Sequence, residues 1–228
     1  MTNPISNGHP VLPQTVWKRW AIACGSGAFL GIAAAAALSV GHRLLLGEPA
    51  NNADKLLNLF FMMVAGAAEG TILAYFQYRL IGRLFPGISW KQWLAYTVGA
   101  AVIAWMLGML PSLFLTGTGS AAPISPPDSF TYYGMAALMG LLLGALFGYF
   151  QWLPLKEQRR SALEWIPANA LGWAAGMIFI FLGASLPGES PPWQLTLLSG
   201  AAGGLLAGLS VGAVTGYFLL RIHRSPEK

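Results

Sequence analysis

The chain has 228 residues, 55% of them hydrophobic and only 9% charged, with a formal net charge of +5. Soluble domains carry about 25% charged residues, so this chain has too few charges to solvate its own surface, and lipid is the expected solvent. Its single cysteine, Cys24, excludes an intrachain disulfide and any cysteine-held zinc or iron–sulfur site. The positive balance contains no Lys/Arg-rich run, so it points to basic loops on one side of a membrane rather than to nucleic acid.

A membrane-spanning helix needs about 20 apolar residues. Six segments meet that length in chain order: residues 21–41, 56–78, 93–115, 130–155, 166–186 and 195–220. The first is too long for the roughly 7–15-residue apolar core of a leader peptide and reads as a true span. Proline and glycine punctuate the breaks at Pro86-Gly87, between Pro123 and Pro127, and between Pro187 and Pro192. The loop at 116–131 reads as irregular, and the segment 156–164 as a continuation of the fourth helix beyond the membrane. Eleven of the thirteen Lys and Arg residues fall on one side, leaving only Arg43 and Lys55 on the other. The positive-inside rule then places both termini in the cytoplasm, which requires an even number of spans.

The even-numbered segments share an ending: Ala74-Tyr-Phe-Gln-Tyr-Arg79, Gly148-Tyr-Phe-Gln-Trp-Leu153 and Gly216-Tyr-Phe-Leu-Leu-Arg221. Small residues precede each ending at steps of four: Gly66, Gly70, Ala74; Gly140, Gly144, Gly148; and Gly208, Gly212, Gly216. Residues four apart share one helix face, and glycine there lets backbones approach closely enough for dispersion to hold helices together in lipid. The odd-numbered segments begin with Trp20, Trp93 and Trp165 beside basic or acidic residues, where interfacial aromatic anchors are expected. The pattern predicts an all-α, polytopic bundle of six transmembrane helices built from three helical hairpins, about 17–83, 90–160 and 164–224, within one membrane domain over 1–228.

The stretches Gly140–Trp152 and Trp165–Trp173, with weaker copies at Gly66–Arg79 and Gly208–Arg221, resemble a loose group of uncharacterised multi-spanning bacterial membrane proteins frequent in cyanobacteria and related phyla. That resemblance implies no activity. Mitochondrial carriers also comprise three hairpins, but their acidic–basic signature after a proline is missing here.

Glu69 is the one acidic residue deep in a span, ten residues before Arg79 and hence about 15 Å from that end. A mid-membrane carboxyl is costly and marks a functional candidate by default. Its repeat counterparts are Leu143 and Val211. It reads either as a carboxyl bonded to a neighbouring helix carbonyl or as an ion, proton or ligand site. Gln77 and Gln151 share a repeat position, with Leu219 in the third copy. Thr97 and Asn169 correspond to each other, with Cys24 in the first. These polar side chains are expected to tie helices together, or else to line a polar vestibule. No buried Ser/His pair, intramembrane Asp pair or phosphate-binding glycine loop is present, so neither an enzyme nor a cofactor or metal is expected. The reading is a non-catalytic accessory, assembly or structural subunit with membrane-protein partners or as a homo-oligomer. A small transporter or channel using Glu69 is the alternative.

Overall fold

The computed structural model describes residues 13–47, 49–114, 129–186 and 192–227. Long helices dominate them: α1 (Pro13–Leu46), α2 (Asn52–Leu84), α3 (Trp90–Phe114), α4 (Ser129–Leu155), α5 (Trp165–Ser185) and α6 (Trp193–Arg224), with a short 3₁₀ turn at Arg160–Glu164 before α5. All six are long and apolar enough to cross a membrane. The chain is therefore a multi-pass integral membrane protein.

Local chemistry sets the helix ends. The Asn51 side chain accepts from the Asp54 amide at 3.0 Å, while Asp54 accepts from the Asn51 amide at 3.3 Å, a reciprocal cap on α2. Ser89 and Gln92 repeat the device at α3, at 3.2 and 3.0 Å. Pro86-Gly87 follows the end of α2, where proline cannot continue the helix. α1, α2 and α6 run 34, 33 and 32 residues. At 1.5 Å per residue this is about 50 Å, well beyond a hydrocarbon core of about 30 Å. Their polar ends therefore extend past the apolar segments read from sequence.

Each helix packs on its chain neighbours and α6 returns to α1, which closes the six into a ring. The α3–α4 contact is much the smallest in that ring. The segment 156–164 does not prolong α4. Pro154 lies in its last turn and the chain folds back, with Arg159 pairing Glu227 at 2.7 Å and Glu164 pairing Arg221 at 3.0 Å. The link between α4 and α5 thus lies against the C-terminal tail. Most of the loop expected at 116–131 lies outside the described residues.

The small-residue stripes sit where even helices meet odd ones. A Cβ on Gly144 would overlap the Asn169 carbonyl and come within 2.7 Å of Ala170 Cα; one on Gly140 would meet Ala174 Cα at 2.7 Å. Gly148 faces Ile166 Cα at 2.7 Å and Asn169 Cβ at 3.1 Å, and Gly212 faces Ala21 Cα at 2.6 Å and Cys24 Cβ at 2.9 Å. Gly208 faces the Cys24 carbonyl and Ala28, while Gly216 meets the rings of Trp17 and Trp20 at 3.0 Å. On α2, Gly70 faces Val98 Cα at 3.1 Å, and Gly66 lies under the Trp105 ring at 2.6 Å. The glycine faces thus bind α2 to α3, α4 to α5 and α6 to α1.

Candidate functional site

Two polar regions lie inside the ring. The first is near the end that carries most of the Lys and Arg, here the basic end. Gln151 on α4 donates from Nε2 to Gln77 Oε1 at 3.0 Å and to Thr97 Oγ1 at 3.1 Å, and its Oε1 accepts from Trp165 Nε1 at 3.1 Å. Gln77 in turn donates to Cys24 Sγ at 3.7 Å, and Asn169 donates to the Trp165 carbonyl at 3.0 Å. One layer therefore joins α1 through α5, and both ends of the Gln151 amide are spent inside it. The cavity left at this level is about 10 Å³. That is roughly the size of a single water-probe sphere, too small for any organic ligand.

Trp20, Trp93 and Trp165 are fully buried with this layer, at 0% exposure each. They are not interfacial anchors. The expectation fails because Arg19 and Lys91 are exposed and Glu164 pairs with Arg221 while the indoles turn into the ring, where Trp20 and Trp165 meet edge-on at 5.8 Å. Phe85, Leu155 and Ile222 continue the same apolar cluster. Trp20 Nε1 donates to Thr215 Oγ1 at 2.8 Å, as Trp165 donates to Gln151. The place opposite Trp20 is thus taken by Thr215, not by Leu219. α6 meets α1 one turn earlier than its Tyr-Phe ending suggests, as the matching surroundings of Gly148 and Gly212 also show. Trp93 Nε1 is buried with no hydrogen-bond partner among the described residues.

The second region surrounds Glu69. It lies eight residues from Gln77 on α2, about 12 Å toward the other end, so the structure does not bring Glu69 together with the other four candidates. Glu69 is 8% exposed, and its Oε2 accepts from Trp105 Nε1 of α3 at 2.6 Å. The partner is an indole rather than the helix carbonyl that the sequence suggested. Two glycines make room for the pair. A Cβ on Gly31 of α1 would meet Glu69 Cγ at 2.9 Å, and Gly66 lies beneath the Trp105 ring. Among the described residues no salt bridge reaches Glu69 and no second donor reaches its Oε1.

Glu69 and Trp105 form part of the wall of a cavity of about 390 Å³ bounded by α1 to α5. Its other walls are apolar or thioether side chains, including Met139, Phe147, Trp173 and Met177. It lies where α3 and α4 separate. Nearer the basic end these helices are joined by Thr97–Gln151 and by Gly99 against Phe150, but farther along Gly108 borders the cavity, and a Cβ there would meet no atom of the described residues within 4 Å.

Sequence reasoning missed Trp105, Trp173, Gly31 and Gly108. One signal was available. Trp105 is twelve residues beyond Trp93, about 18 Å deeper, whereas tryptophans in membrane proteins concentrate at the interfaces. A tryptophan at that depth asks for an internal acceptor, and Glu69 is the one carboxyl at that level among the described residues.

No protein-family model, curated protein or solved structure matches this chain.

Proposed function

We propose that the chain is a non-catalytic integral membrane protein acting as an accessory or assembly subunit of a membrane complex, in a bacterial inner or equivalent internal membrane with both termini cytoplasmic. The observation that carries this reading is the spent polar layer. Gln151, Gln77, Thr97 and Trp165 satisfy one another across the ring and leave about 10 Å³. A solute path through the ring would need those groups free and that space open. The link to partner proteins rests on the glycine-tight ring of helices, which among the described residues presents mainly helix surface to its surroundings. The recurring contacts of Gly144 with Asn169 and of Gly208 with Cys24 support three hairpin units closed into a ring.

Extraction of tagged protein in mild detergent, followed by mass spectrometry of what co-purifies and by particle-mass measurement, tests the reading. Near-stoichiometric membrane partners are expected. A particle of this chain alone, together with substrate flux in proteoliposomes, would overturn it. Glu69 at the edge of a cavity favours transport as the second reading. Under that reading Glu69→Gln abolishes flux.

A further inference from the structure

We propose that the Glu69 cavity is a binding site for a lipophilic organic cation, an ammonium or phosphonium centre carrying apolar groups, admitted from the bilayer between α3 and α4. The cavity volume of about 390 Å³ lies in the roughly 300–1,000 Å³ range of small-molecule sites. Its chemistry is unbalanced in a particular way. It holds one carboxyl with one oxygen bound by Trp105 and the other without a donor among the described residues. Among the described residues no basic side chain forms part of its wall. Once ionised, a carboxyl so placed gains most from an opposite charge brought close in a medium of low dielectric constant.

The rest of the wall selects which positive charge fits. Calcium and magnesium need about six or more oxygen ligands, and this wall supplies carbon and sulfur beyond the single carboxyl. Trp105, Phe147 and Trp173 present aromatic rings, with Phe147 and Trp173 stacked at 5.3 Å. Aromatic faces attract cations, above all quaternary ammonium groups. Met139 and Met177 add flexible, polarisable surface that adapts to varied shapes. Entry requires no opening of the basic half, because Gly108 leaves free space on the α3 side of the gap. Such a ligand is compatible with either a subunit or a transporter, so the site stands or falls apart from that choice.

The test is equilibrium binding to the full chain in lipid nanodiscs, with empty nanodiscs subtracted. The probes are tetraphenylphosphonium and hexyltrimethylammonium, against tetraphenylborate, which matches the first in shape and reverses its charge. Saturable binding of at least one cation is expected, at least tenfold tighter than tetraphenylborate. Glu69→Gln is expected to weaken cation binding at least tenfold, and Gly108→Phe to remove it by filling the cavity. Equal binding of tetraphenylborate, unchanged cation binding by Glu69→Gln, or no saturable binding of either cation would overturn the proposal. The charge comparison uses the wild-type chain alone, so it decides the matter even if a variant fails to fold.

Discussion

In the basic half of the ring, Gln151 reaches Gln77, Thr97 and Trp165, and about 10 Å³ remains unfilled. Around Glu69, about 12 Å farther along α2, the same ring holds about 390 Å³ beside a single carboxyl–indole bond. Both halves are built from small-residue faces and buried polar groups. What differs is the seam. α4 lies backbone-close on α5 through Gly140, Gly144 and Gly148, whereas α3 and α4 have no such stripe between them and part beyond Gly99. In lipid, helices stay together only where their surfaces fit, so a seam without small residues is where a cavity forms.

The largest expected effect breaks the tight seam. Gly144→Ala places a methyl against the Asn169 carbonyl and Ala170 Cα, and neither backbone can yield alone. Overpacking of this kind costs about 1–3 kcal/mol, with the upper end or misfolding expected here. Gly108→Ala, where a Cβ meets nothing, should leave stability within about 0.5 kcal/mol. Reversible unfolding in lipid bicelles measures both, and equal losses would remove the contrast between the seams.

Next in size is Gln151→Leu, which leaves Trp165 Nε1 and Gln77 Oε1 without their partner. Hydrogen bonds between membrane helices average about 0.6 kcal/mol and reach about 1.7. With three lost, about 2 kcal/mol is expected in the same assay. Glu69→Gln keeps an acceptor for Trp105 and should cost under about 1 kcal/mol. The comparison sharpens if Gln151 matters to folding and Glu69 does not.

The smallest and finest test is among the three buried tryptophans. Trp20→Phe and Trp165→Phe each break an indole hydrogen bond, whereas Trp93→Phe removes an N–H that has no partner among the described residues. Leaving a buried polar group unmade is itself costly, so Trp93→Phe should be less destabilising than the other two by about 1 kcal/mol. A reversed order in parallel unfolding curves would contradict the arrangement of the layer.

The six spans were legible because an apolar run of about 20 residues without charge has few other readings. The glycine steps of four were legible as packing faces because helical geometry alone puts them in line. Which way Trp20, Trp93 and Trp165 turn was not legible. A tryptophan beside a lysine suits either the interface or the interior, and only the position of Gln151 or Thr215 across the ring decides. The pairing of Glu69 with Trp105 was hidden for the same reason. It joins α2 to α3 across 36 residues, and sequence periodicity speaks only of one helix at a time. The turn-wise slip that puts Thr215 where Leu219 was expected depends on the fit of α6 to α1, which the shared Tyr-Phe endings do not encode.

Cys24 offers the most direct measurement of the central claim, that the middle of the ring is closed. It is the chain's one cysteine, 1% exposed, within the layer that Gln77 and Gln151 make. Wild-type protein in proteoliposomes is exposed to a small, water-soluble thiol reagent on both faces, and the modified fraction is read by mass spectrometry. The account predicts negligible modification over hours in the folded protein and complete modification after unfolding in detergent. Rapid labelling of folded protein would show a water-filled path through the layer and would contradict it.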